Sequence, residues 1–409
     1  MRESFLNRSI FQSRTAIVLA SVFLLVASSF SFADEPSGIG TPEDWKEKLF
    51  ASDARITLKE PQLDAVVLLA PEAVLKYKAP EERGWDAAYS PASAKEGKNE
   101  CSLPTPVRFS WEWSDDVDGQ FTLQLSTERN FLDCIEIECG RETACEATNL
   151  DIGTTYFWRV KIKTPNADPN DQTLTTTFSP TSCFSTAPDP PRWFNVLGVS
   201  NFRDFGGWKA ANGKRVKKGM IYRGTEMDGH FGLSEDGKRF MLDELGIRSD
   251  FDLRGPGEWG NVPDYSSPLG ENVRWINFRI GAYDSIFTDE QKVLYRDIFK
   301  TLTDESVYPT YVHCWGGADR TGTLIMMIKA ILGVSDNDLC ADYEMTTFST
   351  IGERYIHADY FEKLTKGLEN FGGKDAPLSV KFENYLKSIG VTEEELDKIR
   401  ELLLEDAEE

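Results

Sequence analysis

The chain has 409 residues, with 45 Lys and Arg against 67 Asp and Glu, and a formal net charge of −22. A protein this acidic is repelled by a phosphate backbone, which argues against nucleic acid as a partner. Hydrophobic residues make up 40% of the chain, and its length is sufficient for two folded domains.

Residues 1–33 have the pattern of an export signal. Three arginines precede a mostly apolar run from Ala16 to Ala27, and Ser31-Phe32-Ala33 is a small-x-small site that predicts cleavage after Ala33. The run of twelve residues is shorter than the roughly 20 needed for a membrane span, so no stable span is expected, although an uncleaved anchor stays open. The mature chain of 376 residues, near −24 in charge, is therefore expected to be periplasmic or secreted.

Residues 34–54 form a polar lead-in, within which Thr41-Pro42 predicts the start of a short helix over about 42–51. From 55 to 188 apolar side chains alternate with polar ones, a pattern typical of half-buried antiparallel strands. The alternating apolar positions are Val107, Phe109, Trp111, Trp113, Phe121, Leu123, Leu125, Tyr156, Trp158, Val160 and Ile162.

The stretch "NLDIGTTYFWRV" resembles the tyrosine corner of fibronectin type III-like sandwiches, with Tyr156 as the tyrosine. An all-β Ig/fibronectin III-like sandwich is therefore predicted for residues 55–188. The tryptophans Trp111, Trp113 and Trp158 are expected in its core, because a sandwich requires inward alternation. A ligand platform built from these aromatics is the alternative.

Five of the seven cysteines lie in this module: Cys101, Cys134, Cys139, Cys145 and Cys183. In an exported protein this clustering favours disulfides over a metal site, and the three histidines of the chain lie outside the module. Because five is odd, at least one thiol is unpaired within the module. The spacing alone does not predict which cysteines pair.

The prolines of "APDPPRW" mark a stiff linker, after which strands alternate with longer helical patterns, so residues 189–409 are predicted to form an α/β domain. Candidate strands cover 247–253, 273–280 and 311–313. Near the C-terminus, Thr392 is expected to cap a final helix with Glu395 as its reciprocal partner.

The stretch "YVHCWGGADRTGTL", residues 311–324, carries the chemistry. A strand ends at His313, and an apolar helix that Gly333 could close begins near Thr321, so Cys314 lies in a loop above a helix N-terminus. Such a loop binds an anion through its backbone N–H groups and favours a thiolate over a thiol. Arg320 adds a planar clamp for two phosphoryl oxygens.

The stretch "HCWGGADRTG" resembles the HCxxGxxRTG phosphate loop of the cysteine-dependent protein tyrosine phosphatase superfamily. Together with "NFRDFGG", "IYRG", "LGIRSDFDLRGPGE" and "ILGVSDNDLCADYEMT", it resembles the bacterial tyrosine/serine protein phosphatase family over about residues 195–405. Relatives commonly carry Lys before the Asp-Arg pair of the loop, where this chain has Ala318, and this difference weighs against phosphoinositide activity.

A cysteinyl-phosphate mechanism assigns the roles of the loop residues. Cys314 is the nucleophile, and Arg320 with the backbone of Trp315, Gly316, Gly317, Ala318 and Asp319 binds the phosphate. His313 is expected to orient the loop and favour the thiolate, and Thr321 to assist departure of the sulfur. The mechanism requires no metal and no cofactor.

Three carboxylates are candidates for the general acid, in the order Asp284, Asp319 and Asp252. Asp284 lies 30 residues before Cys314, a spacing similar to the general-acid loop of dual-specificity phosphatases. Asp252 would line the pocket with Arg254 if strand ends form it, but the two are alternatively paired with each other. Asp204 beside Arg203 is open to the same interpretation.

The expected substrates are phosphorylated proteins, with phosphotyrosine preferred and dual specificity open, or small phosphoesters. A phosphoinositide or inositol phosphate phosphatase is the alternative. A non-catalytic binder of phosphorylated ligands and an adhesion protein that works through its sandwich are further alternatives. The sequence predicts no oligomeric state.

Overall fold

The computed structural model describes residues 52–78, 91–95, 100–166, 172–260 and 265–407. The predicted signal at 1–33 and the predicted helix at 42–51 lie outside these residues. The chain forms two compact units. The first contains the described residues up to Leu68 together with Pro106–Ala187, and the second contains Leu69–Thr105 together with the chain from Pro188 onward.

The first unit is built from two sheets. One has the order β1-β3-β6 and is antiparallel; the other has the order β2-β9-β7-β4-β5, with β8 paired to β7 and with β2 and β9 parallel. The strands are β1 Ile56–Glu60, β2 Ala65–Val67, β3 Val107–Trp113, β4 Gln120–Ser126, β5 Ile135–Gly140, β6 Ala144–Ala147, β7 Thr155–Pro165, β8 Leu174–Phe178 and β9 Ser182–Thr186.

The alternation predicted for these strands is confirmed by their burial. Trp111 and Trp158 are buried, and Trp158 packs edge-on against Phe109 at a centroid distance of 5.2 Å. Trp113 was expected in the same core but is half-buried, because β3 ends there and Arg55 covers its ring at 4.8 Å. The hydroxyl of Tyr156 accepts a hydrogen bond of 2.9 Å from the Asp151 backbone, as a tyrosine corner requires. The assignment to the Ig/fibronectin III class stays a prediction.

Cys134, Cys139, Cys145, Cys183 and Cys314 carry free thiols in this structure. In the first unit, Cys139 near the end of β5 and Cys145 near the start of β6 lie within hydrogen-bonding reach of each other. The turn between them is closed by a bond of 3.1 Å from the Glu142 N–H to the Cys139 carbonyl. These two are therefore candidates for one disulfide, which the sequence did not identify.

The second unit has the predicted α/β architecture. Its sheet has the order β10-β12-β15-β13-β14, in which the last four strands are parallel and β10 is antiparallel. The strands are β10 Arg203–Asp204, β11 Lys214–Val216, β12 Ile221–Gly224, β13 Ser249–Asp252, β14 Arg274–Asn277, β15 Thr310–His313 and β16 Leu404–Asp406, where β11 and β16 form a separate ribbon. The three predicted strands are confirmed, each close to its predicted position.

Helices surround this sheet. They are α1 Glu72–Lys78, α2 Glu235–Arg239, α3 Asp289–Thr301, α4 Arg320–Ile331, α5 Asp336–Glu344, α6 Asp359–Leu368, α7 Leu378–Ser388 and α8 Glu393–Leu403, and a π-helix at Phe240–Glu244 extends α2. The predicted cap of the last helix is confirmed, because Thr392 and Glu395 exchange side-chain to backbone bonds of 2.9 and 3.2 Å. Within the described residues, no helix combines the length and the apolar character that a membrane crossing needs.

The segment 69–105 departs from the predicted boundaries, which placed it in the sandwich of 55–188. Val74 and Tyr77 on α1 are buried in the core of the second unit. The Cys101 N–H donates to the Phe348 carbonyl at 2.6 Å, and the Lys95 ammonium donates to the Ser349 carbonyl at 2.7 Å. The segment packs with the later part of the chain because its few apolar side chains are buried against residues of that part.

Candidate active site

The loop of residues 314–319 joins β15 to α4 at the carboxyl edge of the sheet. Gly317 has a φ of 59°, and a Cβ there would lie 2.0 Å from the Gly224 carbonyl oxygen, so only glycine fits. Within the described part of the chain, the backbone N–H groups of 315–320 donate to no protein acceptor. Six free donors at the start of a twelve-residue helix form a binding site for an anion.

Cys314 lies at the base of this loop, with 2% of its surface exposed. Burial raises the pKa of its thiol, but the charge of Arg320 and the neighbouring hydroxyl and backbone N–H of Thr321 lower it more. The net pKa lies below the ordinary cysteine value, which favours a nucleophilic thiolate.

The guanidinium of Arg320 is held by Glu258 through two parallel bonds of 2.7 Å. The Gly255 N–H donates to Glu258 at 2.9 Å and fixes its carboxylate in a 3₁₀ turn, Pro256–Trp259. A bidentate pair of this kind sets the plane of the guanidinium, and that plane decides which phosphoryl oxygens it can bind. Glu258 ends the motif "LGIRSDFDLRGPGE", and the sequence alone predicts no role for it.

His313 is fully buried behind the loop, and its Nε2 lies 2.9 Å from a carboxylate oxygen of Asp250. Burial lowers its pKa, but the negative charges of Asp250 and Asp252 outweigh burial and raise the pKa to about 9. The ring is therefore an imidazolium at neutral pH. Its Nδ1 lies 3.3 Å from the Cys314 carbonyl, so the ring helps to orient the start of the loop.

Asp319 is at the far end of the loop and is already paired. Arg354 binds both of its oxygens at 2.7 and 2.9 Å, and the Tyr283 hydroxyl donates to it as well. Burial raises the pKa of Asp319, but the bonds and charge of Arg354 and the bond from Tyr283 lower it further, so the group is ionised in the free enzyme. The Tyr343 hydroxyl extends this chain, at 2.7 Å from Tyr283.

Asp284, ranked first as the acid from sequence, is not brought to the loop. It is exposed and lines a surface cavity of about 700 Å³ with Lys363 and Lys366, and no loop residue lines that cavity. Its neighbour Tyr283 contacts the loop instead. Spacing along the chain located the correct segment, but the 3₁₀ turn Tyr283–Phe287 directs the tyrosine inward and the carboxylate outward.

Asp252 does not face the pocket as a free acid. It is fully buried and binds Arg254 through bonds of 3.0 Å at both oxygens, which matches the paired alternative. The parallel expectation for Asp204 and Arg203 is wrong. Asp204 accepts from the Gly206 and Gly219 backbones at 2.7 and 2.8 Å, and Arg203 binds Asp342, because adjacent strand residues point to opposite faces.

Among the described residues, an exposed indole lies in the loop, and an exposed cation lies against the turn that holds Glu258. The indole of Trp315 is 38% exposed and donates to His230 Nδ1 at 2.8 Å. Arg279 is exposed, lies against Gly255 and has no ion-pair partner in the described part of the chain. Ala318 is buried, so its methyl group faces the interior, and Gly316 packs against Ile351.

Among the described residues, no group of three or more His, Cys, Asp or Glu side chains is arranged to hold a metal ion.

Three residues of this site, Glu258, Arg354 and Tyr283, were not assigned from the sequence. Each acts by pairing with a loop residue that is 62, 35 or 36 positions away. Only the fold brings such partners together, so spacing carries no signal for them. The one sign in the sequence was that Glu258 ends "LGIRSDFDLRGPGE", a stretch on which the resemblance to bacterial phosphatases partly rests.

Comparisons with known proteins agree with this geometry. A family model described as a tyrosine phosphatase family matches residues 194–405. A putative tyrosine-protein phosphatase of Cupriavidus necator is 27% identical over 191 residues, and the match covers 40% of this chain and 68% of the relative. A tyrosine-protein phosphatase of Nostoc commune is 24% identical over 209 residues, and the match covers 41% of this chain and 70% of the relative.

Among solved structures, the core catalytic domain of a PP-IP phosphatase from S. cerevisiae, in complex with citrate, is similar to part of this chain. The match covers 31% of this chain and 71% of that domain. The identity is 16% and the TM-score is 0.24, so no argument rests on this likeness.

Proposed function

The chain belongs to the tyrosine phosphatase family, and from that premise we propose that it is an exported, cysteine-dependent phosphatase that hydrolyses phosphotyrosine in proteins. The observation that carries the proposal is the loop itself, where six free backbone N–H groups and Arg320 surround a thiol of lowered pKa. The residues at 1–33 support export, and the first unit would act as an Ig/fibronectin III-like module beside the enzyme.

In the first step the Cys314 sulfur attacks phosphorus, a P–S bond forms and the P–O ester bond breaks. The leaving oxygen takes a proton from a general acid, and the loop N–H groups with Arg320 bind the phosphoryl oxygens as their charge redistributes. In the second step water attacks phosphorus, the P–S bond breaks, and the Thr321 hydroxyl stabilises the departing thiolate. The products are the free alcohol or phenol and inorganic phosphate.

We assign the proton transfers to Asp319 because it is the carboxylate within the loop. It is ionised in the free enzyme, which suits its role as the base toward water in the second step. The negative charge of a bound phosphate raises the pKa of a nearby carboxylate, which allows Asp319 to carry the proton needed in the first step. Tyr283 and Arg354 hold it in position for both.

The mouth of the site supports a protein substrate over an inositol polyphosphate. The buried methyl group of Ala318 adds no cation to the loop, whereas several phosphates on one ligand need several cations. The exposed indole of Trp315 offers a face for an aromatic ring, and Arg279 offers a charge for an acidic residue beside it.

The proposal is tested by measuring kcat/KM of the mature chain for phosphotyrosine peptides, phosphoserine peptides, a phosphoinositide and an inositol polyphosphate. Phosphotyrosine peptides are expected to be the best substrates, and Arg279→Ala is expected to reduce turnover of acidic peptides without affecting a small aryl phosphate. A preference for the inositol polyphosphate would replace the proposed substrate class. No phosphate release from any of the four would refute the activity.

A further inference from the structure

Beneath the phosphate loop, three buried cations surround one carboxylate, and none of these groups entered the sequence-based mechanism. Asp342 on α5 lies 3.1 Å from Arg203 Nε, 3.4 Å from Arg223 Nη1 and 3.1 Å from Lys329 Nζ. The side chains of all four are at most 4% exposed. Arg203 comes from β10, Arg223 from β12 and Lys329 from α4, so with Asp342 on α5 the cluster joins four elements around the loop.

The charges of this cluster do not balance. Three cations face one carboxylate, and in the described part of the chain no second carboxylate lies within ion-pair distance of any of them. Burying an unmatched charge is costly unless another group compensates it. Burial lowers the pKa of Lys329 to about 8 and, together with the charge of Arg203, the pKa of Arg223 to about 9.

The cluster also holds the carbonyl groups of the loop. Arg223 Nη2 donates to the Gly317 carbonyl, and the amide of Asn201 donates to the carbonyls of Gly316 and Gly317 at 3.2 and 3.3 Å. Arg203 in turn donates to the side-chain oxygen of Asn201, which fixes the orientation of that amide. Buried carbonyls need donors, so these bonds stabilise the loop with its carbonyls toward the cluster and its N–H groups free for an anion.

Arg320 is paired with Glu258, so part of its charge is already matched and a further cation near the loop would strengthen anion binding. Building on the phosphatase function proposed above, we propose that Arg223 is a positioning residue, which with Asn201 orients the phosphate loop and supplies unmatched positive charge to the Cys314 thiolate and the bound phosphate. The negative charge of Cys314 stabilises the charged form of Arg223, so the two groups attract each other. The thiolate and the phosphate are then the anions that the cluster lacks.

Two variants separate the charge from the donor. Arg223→Gln removes the charge together with the Nη2 donor to the Gly317 carbonyl, because the shorter glutamine side chain ends near the position of the arginine Nε. Asn201→Gly removes the side-chain amide, and glycine adopts the φ of 57° at this position without strain. Lys381→Met is the matched control, because Lys381 is a buried cation on α7, outside the cluster, whose ammonium donates to the Lys374 carbonyl at 2.8 Å.

The first readout is the pKa of the Cys314 thiol. It is obtained from the pH dependence of alkylation by iodoacetamide, which is measured on the peptide that contains Cys314. The second is binding of inorganic phosphate by calorimetry. Arg223→Gln is expected to raise the thiol pKa by about one unit and weaken phosphate binding about tenfold. Asn201→Gly is expected to weaken phosphate binding about tenfold with little change in the thiol pKa, and Lys381→Met to change neither.

The proposal is overturned if both variants fold, as judged by circular dichroism and Tm, and keep the wild-type thiol pKa and phosphate affinity. If Arg223→Gln does not fold, the proposal is judged on Asn201→Gly alone. An unchanged phosphate affinity in that variant then overturns the proposal. Neither readout needs turnover. A wild-type chain that binds phosphate as described but releases none from any ester refutes the phosphatase function and leaves the positioning role intact.

Discussion

Replacing Glu258 with Gln tests whether the bidentate pair, rather than the charge of Arg320 alone, sets up phosphate binding. The substitution keeps the size of the side chain and one acceptor oxygen. It places an NH₂ group against the guanidinium in place of the second oxygen, so one of the two 2.7 Å bonds is lost and two donors face each other.

The size of the expected effect follows from how deeply the Arg320–Glu258 pair is buried. Breaking a fully buried charge pair costs about 2–5 kcal/mol and an exposed pair contributes under about 1 kcal/mol. Here the side chains are 21% and 35% exposed, which places the pair between these limits, at about 1.5–3 kcal/mol. If this energy orients Arg320 in the transition state, kcat/KM falls by roughly 10–100-fold.

The assay is kcat/KM for an aryl phosphate, together with the Tm of each variant. Glu290→Gln on the exposed face of α3 is the control and is expected to match the wild type. An activity of Glu258→Gln within twofold of the wild type would refute the reasoning, because Arg320 would then bind phosphate without a partner that orients it.

Three further predictions rest on other parts of the structure. Asp319→Asn is expected to slow esters with poor leaving groups by about 10²–10⁴ and activated aryl esters much less, whereas Asp284→Asn should match the wild type; the reverse result would restore Asp284 as the acid. Because the pKa of His313 is raised to about 9, its contribution to stability is complete below pH 6.5 and is lost as the pH rises through 9. Urea unfolding between pH 6 and 9.5 should show a loss of about 3 kcal/mol that Asp250→Asn reduces, and an equal loss in that variant would contradict the assignment. In exported protein, non-reducing peptide mapping is expected to find a Cys139–Cys145 bond worth about 2 kcal/mol to the first unit, and free thiols at both positions would contradict it.

The parts of the site that sequence predicted are those that lie close together along the chain. Cys314, the loop glycines, Arg320 and the helix behind them occupy one continuous stretch, so the strand, the turn and the start of the helix follow from local pattern. The strands predicted at 247–253, 273–280 and 311–313 were also recognised from local pattern, and each lies within a few residues of its observed bounds.

The parts that sequence missed depend on distant partners. Asp284 and Tyr283 are neighbours, and only the direction of a 3₁₀ turn decides which of them reaches Asp319. The segment 69–105 has no pattern that separates it from the strands around it, and its place in the second unit follows from contacts about 250 residues away. Pairing of charges over such distances is set by packing rather than by spacing.

The most direct test of the central claim is to trap the phosphorylated enzyme. The chain is mixed with an aryl phosphate, quenched within milliseconds, and digested for mass spectrometry. A phosphate on the peptide that contains Cys314, absent in Cys314→Ser and formed equally in the presence of EDTA, is the predicted result. Turnover without a phosphate on Cys314, or turnover that persists in Cys314→Ser, would contradict the account.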